Sequence, residues 1–340
     1  MIAHVAGTIL ARRPSARSLV ISSAVRRAIT SFVVALVLSG AATAPAIAQL
    51  RAQAPAGAVF DVSIPSGANY EKAEFRLWYP AGVDAVNGIV LLTPGSNGDG
   101  RAMANDTVWQ QFAVTHKLAL VASMLTDKKH DQSFIEDYVN VSHGSGDAVL
   151  SALLQFANAS RHPELATAPL LLWGMSAGGQ FNYEFVAWKP ERVIAFVVNK
   201  GGIYYSALLS RAARSVPGLL FTGAKDLEFR TNTINGLFAL NRRGGALWAL
   251  AEEPGVAHVE GRSREVALVF FEDVLALRVH GGAPLAPLTE QSGFLGDLMG
   301  KTFRAMGTTP APNYPTAWLP TERVAQAWEA MRTESPLRQP

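Results

Sequence analysis

The chain has 340 residues, with 30 basic and 27 acidic side chains and no cysteine. The missing cysteine excludes disulfides, thiolate metal sites and a cysteine nucleophile together. No basic stripe with interleaved aromatics occurs, so nucleic acid is not an expected partner.

The first 48 residues contain no acid, five arginines (Arg12, Arg13, Arg17, Arg26 and Arg27), the apolar run Phe32 to Leu38 and then Ala46-Ile47-Ala48. That pattern predicts a secretory signal peptide, residues 1–48, cleaved before Gln49. Arg26-Arg27 ahead of the apolar run also fits a twin-arginine signal. The run is too short to span a bilayer, so the expected mature protein is periplasmic or extracellular with no membrane anchor. Without the five leader arginines, 25 of the 30 basic groups face 27 acidic ones, a net of about −2.

The remainder alternates short apolar runs with helical patterns. Ala58 to Ile64 and Ala73 to Tyr79 read as early strands, the first with the alternation of an antiparallel edge. Gly88 to Thr93 is continuously apolar, as in a central strand, and ends in the turn-rich Pro94-Gly95-Ser96-Asn97-Gly98-Asp99-Gly100. A helix over Thr107 to His116 and a strand over Leu118 to Met124 follow. The polar loop Leu125 to Gly146 carries His130, His143 and several aspartates, but in no common metal-ligand spacing, and reads as solvated loop.

After the helix Asp147 to Phe156, the apolar run from Leu170 breaks into Gly174-Met175-Ser176-Ala177-Gly178-Gly179 and resumes as a helix to Trp188. A Gly-x-Ser-x-Gly where a strand gives way to a helix is the sequence form of a nucleophile elbow. Val193 to Val198 reads as a strand, Tyr204 to Ala213 as a helix, Gly218 to Thr222 as a strand and Phe229 to Asn241 as a helix. Ala246 to Ala251 then reads as a strand and Arg262 to Arg278 as a helix. The alternation predicts an α/β fold: a mostly parallel sheet of about eight strands with helices on both faces.

A serine nucleophile needs a base oriented by a carboxylate, in chain order Ser, acid, His on such a sheet. His258, in the loop leaving the last strand, is the candidate base. His280 follows a complete helix and is badly placed. Asp226, just past the strand ending near Thr222, is the candidate acid; Glu228 is its rival, and Asp226 also suits a helix N-cap. The oxyanion donors expected are the N–H of Ala177 and, from the loop after Gly88 to Thr93, that of Ser96 or Asn97; Pro94 has none. Tyr204 and Tyr205, beyond a strand's C-terminal end, are placed to line the substrate site.

These motifs, with Gly223-Ala224-Lys225-Asp226 and Gly255-Val256-Ala257-His258, resemble the α/β-hydrolase superfamily. The similarity is to its dienelactone-hydrolase-like, feruloyl-esterase-like and polyhydroxybutyrate-depolymerase-like esterases, over roughly Phe60 to Arg278. The resemblance implies a Ser176-His258-Asp226 triad, Ala177 and Ser96 as oxyanion donors, no cofactor, no metal, and a small or oligomeric carboxylic ester as substrate. The same triad would serve a peptidase, an amidase or a polyester depolymerase, and the fold could also carry a non-catalytic binding protein. Many secreted relatives have cysteines and a His-Gly opening to the oxyanion loop, where this chain has Thr93-Pro94-Gly95. The spacings from Ser176 to Asp226 and from Asp226 to His258 leave no room for a large lid. Residues 49–279 are expected to form the catalytic domain and residues 280–340 an extension packed on it.

Overall fold

β1 (Gly57–Ile64) and β2 (Lys72–Pro80) pair antiparallel at one edge of the sheet, with Val62 opposite Phe75 and Phe60 opposite Leu77. β3 (Gly88–Thr93), α1 (Thr107–His116), β4 (Leu118–Thr126), α2 (Ser145–Ser160), β5 (Leu170–Gly174) and α3 (Ala177–Trp188) follow. Next come β6 (Val193–Asn199), the single turn α4 (Arg211–Arg214), β7 (Gly218–Gly223), α5 (Glu228–Arg243), β8 (Trp248–Glu253) and α6 (Ser263–Arg278). The structure, a computed structural model, describes residues 54–132, 135–307 and 313–335. The expected signal peptide lies outside the described residues.

The eight strands run in the order β1-β2-β4-β3-β5-β6-β7-β8. β2 is antiparallel to both its neighbours, and the pairs from β4 and β3 through to β8 are parallel. The apolar runs are continuous because both faces of the sheet are covered. Ile89, Leu91, Leu170 and Leu172 pack on one face with Phe156 of α2, Phe181 of α3 and Phe238 of α5. Val90, Leu92, Leu171 and Trp173 pack on the other with Trp109 of α1 and Phe270 and Phe271 of α6.

β3 and β5 are neighbours, and the chain runs from β3 to β4 on one side but from β5 to β6 on the other. A crevice opens at such a switch point, beyond the strands' C-terminal ends. The turn-rich loop after β3 and the Gly-x-Ser-x-Gly turn after β5 face each other across it.

The helix expected over Tyr204 to Ala213 is a correction: only Arg211–Arg214 is helical. Side chains from other elements have taken the backbone groups such a helix would use. Glu184 accepts the N–H groups of Tyr205 and Ser206, each at 2.8 Å, and the Ser206 hydroxyl at 2.7 Å. Tyr183 and Asn241 both donate to the Ala207 carbonyl, and Asn241 accepts the Leu209 N–H.

Residues beyond α6 form a three-stranded sheet of β9 (Phe294–Gly296), β10 (Phe303–Ala305) and β11 (Ala317–Leu319), followed by α7 (Glu322–Arg332). Trp328 of α7 is fully buried and donates its indole N–H to the Leu250 carbonyl of β8 at 2.7 Å. Arg242 of α5 reaches the Thr316 carbonyl at 2.7 Å and Glu290 at 2.6 Å. Phe294 meets Phe303 edge-on, packed against the core beside α6 and α7. Among the described residues no helix is long and apolar enough to cross a membrane.

Candidate active site

Ser176 sits between β5 and α3 at φ 55° and ψ −124°. That is a conformation L-residues rarely adopt, held only when the surroundings enforce it. The neighbours do so sterically. A Cβ at Gly174 would run into the backbone of Gly178, and one at Gly178 would overlap the Thr93 carbonyl oxygen and lie 2.6 Å from that of Pro94. Ser176 also donates its N–H to the Asn199 carbonyl at the end of β6, at 2.8 Å. Three adjacent strand ends therefore set the height and direction of one hydroxyl.

His258 Nε2 lies 2.9 Å from Ser176 Oγ, and His258 Nδ1 lies 2.8 Å from Asp226 Oδ2. A carboxylate only accepts, so Nδ1 carries the proton and Nε2 faces the serine as an acceptor. Asp226 is nearly inaccessible, with its side chain 2% exposed. Its other oxygen takes the N–H of Leu227 at 2.7 Å and the guanidinium of Arg230 at 3.1 Å. Burial by itself would raise its pKa. The hydrogen bonds from His258, Leu227 and Arg230 outweigh that, holding the carboxyl below the 3.8 of a free aspartate. Glu228, its rival by sequence, begins α5 and bonds Asn232 instead.

Across the crevice, Gly95 faces Ser176: a Cβ there would touch the serine Cβ at 3.6 Å. Asn97, at φ 52°, donates its N–H to the Tyr138 hydroxyl at 3.2 Å. Its N–H is thereby committed, which separates it from Ser96. Neither the Ser96 nor the Ala177 N–H has an intramolecular acceptor among the described residues. Ala177 is the first residue of α3, where free N–H groups and the positive end of the helix dipole favour an anion.

The cleft beside Ser176 has a volume of about 260 Å³ and is bordered by Ser96, Glu136, Gln180, Gly202, Ile203, Phe229 and Arg230. Tyr204 does not line it. Its ring turns into the core, edge-on to Tyr183 at 5.0 Å, and its buried hydroxyl has no partner among the described residues. Burial pushes its pKa well above the ordinary phenol value. Tyr205 lies at the margin, 43% exposed, with its hydroxyl on the Glu136 carbonyl at 3.3 Å. Burial and nearby carboxylates raise its pKa to about 12. Ile203 and Phe229 supply the apolar wall in place of the two tyrosines.

Sequence reading missed Arg230, Tyr138, Gln180 and Glu136. Arg230 had a signal, its four-residue spacing from Asp226 at a helix start. Gln180 lies one turn into α3 from Ser176, whereas Glu136 and Tyr138 reach the site from a distant segment and leave no local pattern. Among the described residues no group of three or more histidine, aspartate and glutamate side chains could hold a metal ion.

The strand order, the antiparallel second strand, the strained serine after β5 and the loops that bring Asp226 and His258 to it define the α/β-hydrolase fold. No protein-family model matches this chain, and no curated protein sequence does. Solved structures similar to it include a poly(3-hydroxybutyrate) depolymerase from Bordetella parapertussis, at 18% identity and TM-score 0.49, covering 67% of this chain and 93% of that one. Others are a Klebsiella pneumoniae protein designated a dienelactone hydrolase (21%, TM-score 0.46, 65% and 98% covered) and an esterase from Pyrobaculum calidifontis (14%, TM-score 0.46, 67% and 88% covered). The fold assignment rests on this chain's own strand order and turn geometry.

Proposed function

We propose that this chain is a serine hydrolase that cleaves carboxylic esters through an acyl-enzyme. The observation that carries the reading is the continuous hydrogen-bonded line from Ser176 Oγ through both nitrogens of His258 to the buried Asp226. Ser176 Oγ attacks the ester carbonyl carbon as His258 Nε2 takes its proton, and the Ala177 and Ser96 N–H groups receive the oxyanion. Asp226 fixes the tautomer and stabilises the imidazolium. When the tetrahedral intermediate collapses, the C–O bond to the alcohol breaks and His258 returns its proton to the leaving oxygen. Water, deprotonated by His258, then attacks the acyl carbon, releasing the acid and restoring Ser176.

The cleft of about 260 Å³ beside Ser176 shares Ser96 and Glu136 with a second one of about 340 Å³. The acid-free leader and its Ala46-Ile47-Ala48 favour export and action outside the cytoplasm, checked by N-terminal sequencing of the exported protein, expected to begin at Gln49. We take residues 49–279 as the catalytic body and 280–340 as an extension held to it by Trp328 and Arg242. The functional test is turnover of short p-nitrophenyl esters and the matching p-nitroanilides. The wild type is expected to prefer the esters, and Ser176→Ala to lose roughly 10⁴-fold or more in kcat. Equal turnover by that variant would refute the mechanism.

A further inference from the structure

Behind the site lies a lysine that the mechanism does not use. Lys200 follows β6 at φ 56°, and its side chain is 0% exposed. Its ammonium has three donors and finds three acceptors: Asn199 Oδ1 at 3.0 Å, Glu253 Oε2 at 3.0 Å and the Glu260 carbonyl at 3.5 Å. Glu253 ends β8 and is itself buried. Its other carboxylate oxygen takes the Arg262 N–H at 2.5 Å, so one carboxylate closes the whole loop between β8 and α6. That loop carries His258.

Asn199 completes the connection. Its carbonyl accepts the Ser176 N–H, and its amide donates to Ser263 Oγ at 2.7 Å, which in turn donates to the Glu260 carbonyl at 2.5 Å. The loop has little packing of its own, since Val259 is 56% exposed and Gly255 and Ala257 are open to solvent. Polar bonds to Asn199 and Lys200, together with the Lys225 N–H on the Val256 carbonyl at 2.9 Å, set its place.

We infer that Lys200, paired with Glu253, is a positioning residue that locks the His258 loop to the strand end holding Ser176, so that the base meets the nucleophile at hydrogen-bond distance. A purely structural role is the competing explanation. The two separate physically, because a buried ion pair seldom stabilises a fold more than a neutral pair of similar volume, whereas removing one partner strands a buried charge. A neutral double replacement should therefore fold and still leave the loop loosened. A displacement of about 1 Å at a reacting group costs on the order of 100-fold in rate.

The inference rests on the Ser176-His258 reading, so wild-type ester turnover is established first, and its absence would sink that reading. The test is then full-length Lys200→Met/Glu253→Gln, in which the introduced amide carbonyl can still accept the Arg262 N–H. Steady-state kinetics on p-nitrophenyl acetate are measured beside a thermal melt and the downfield proton resonance of His258 Nδ1–H. The expected result is a folded protein with kcat down about 30- to 100-fold, KM within about twofold, and a broadened or lost resonance. Wild-type kcat and an unchanged resonance would overturn the inference, as would a loss confined to KM. Should the double variant not fold, Lys200→Gln/Glu253→Gln decides, since it keeps two polar groups in the buried space and the acceptor for the Arg262 N–H but removes the ammonium that joins Asn199, Glu253 and the Glu260 carbonyl. A fall in kcat of about 3- to 10-fold at constant KM supports the inference, and unchanged kcat overturns it.

Discussion

At the scale of single residues, the site depends on where protons sit and where they are not allowed. Asp226 is held below the ordinary carboxylate range, so it carries its charge beside His258 at neutral pH. A depressed folded pKa means the stabilisation is present above the unfolded value and is lost as pH falls through the folded one. Asp226→Asn is therefore expected to cost stability at pH 7, with the gap to wild type closing as the pH drops below 3.8, read from denaturant melts. Its kcat should fall by about 10⁴-fold, because the amide favours the wrong imidazole tautomer. Tyr204 gives the opposite case. Its buried hydroxyl bonds nothing among the described residues, so Tyr204→Phe should leave esterase activity unchanged and raise stability by about 1 kcal/mol. A large loss of activity in that variant would return Tyr204 to the substrate site.

At the scale of elements, sequence reading works where a local pattern dictates the structure. The runs Gly88 to Thr93 and Leu170 to Gly174 are legible as central strands because both faces are covered, which leaves no polar position to confuse the pattern. Ser176, Asp226 and His258 are legible as candidates because each follows a recognisable strand end. Tyr204 to Ser210 is illegible for a different reason: its local propensity is helical, but Glu184, Tyr183 and Asn241 claim its backbone from elsewhere in the chain. The three-residue strands β9, β10 and β11 are too short to show a period. At the junction of β3, β5 and α3 the backbones leave no room for a Cβ at Gly174 or Gly178. Gly178→Ala is expected to push α3 off the Thr93 and Pro94 carbonyls, costing about 2 kcal/mol or more in stability and on the order of 100-fold in kcat, measured together on the same preparation. Unaltered kinetics would show that the loop after β3 tolerates the shift.

Across the whole molecule, the sheet's switch point, the glycine turns and the buried polar bonds behind them converge on one serine. With no cysteine to cross-link it, a chain read as exported relies on its two packed core layers and on Trp328 sealing α7 against β8. Tyr138, Lys200 and Glu253 belong to this scale, since each acts over separations in sequence or through burial that no short motif records. The most direct test of the central claim is labelling of the purified mature protein with a fluorophosphonate probe, followed by mass spectrometry of its peptides. The account predicts one phosphonylated residue, Ser176, with labelling abolished in Ser176→Ala and strongly slowed in His258→Ala. A folded wild type that takes up no probe, or takes it up at another residue, would contradict it.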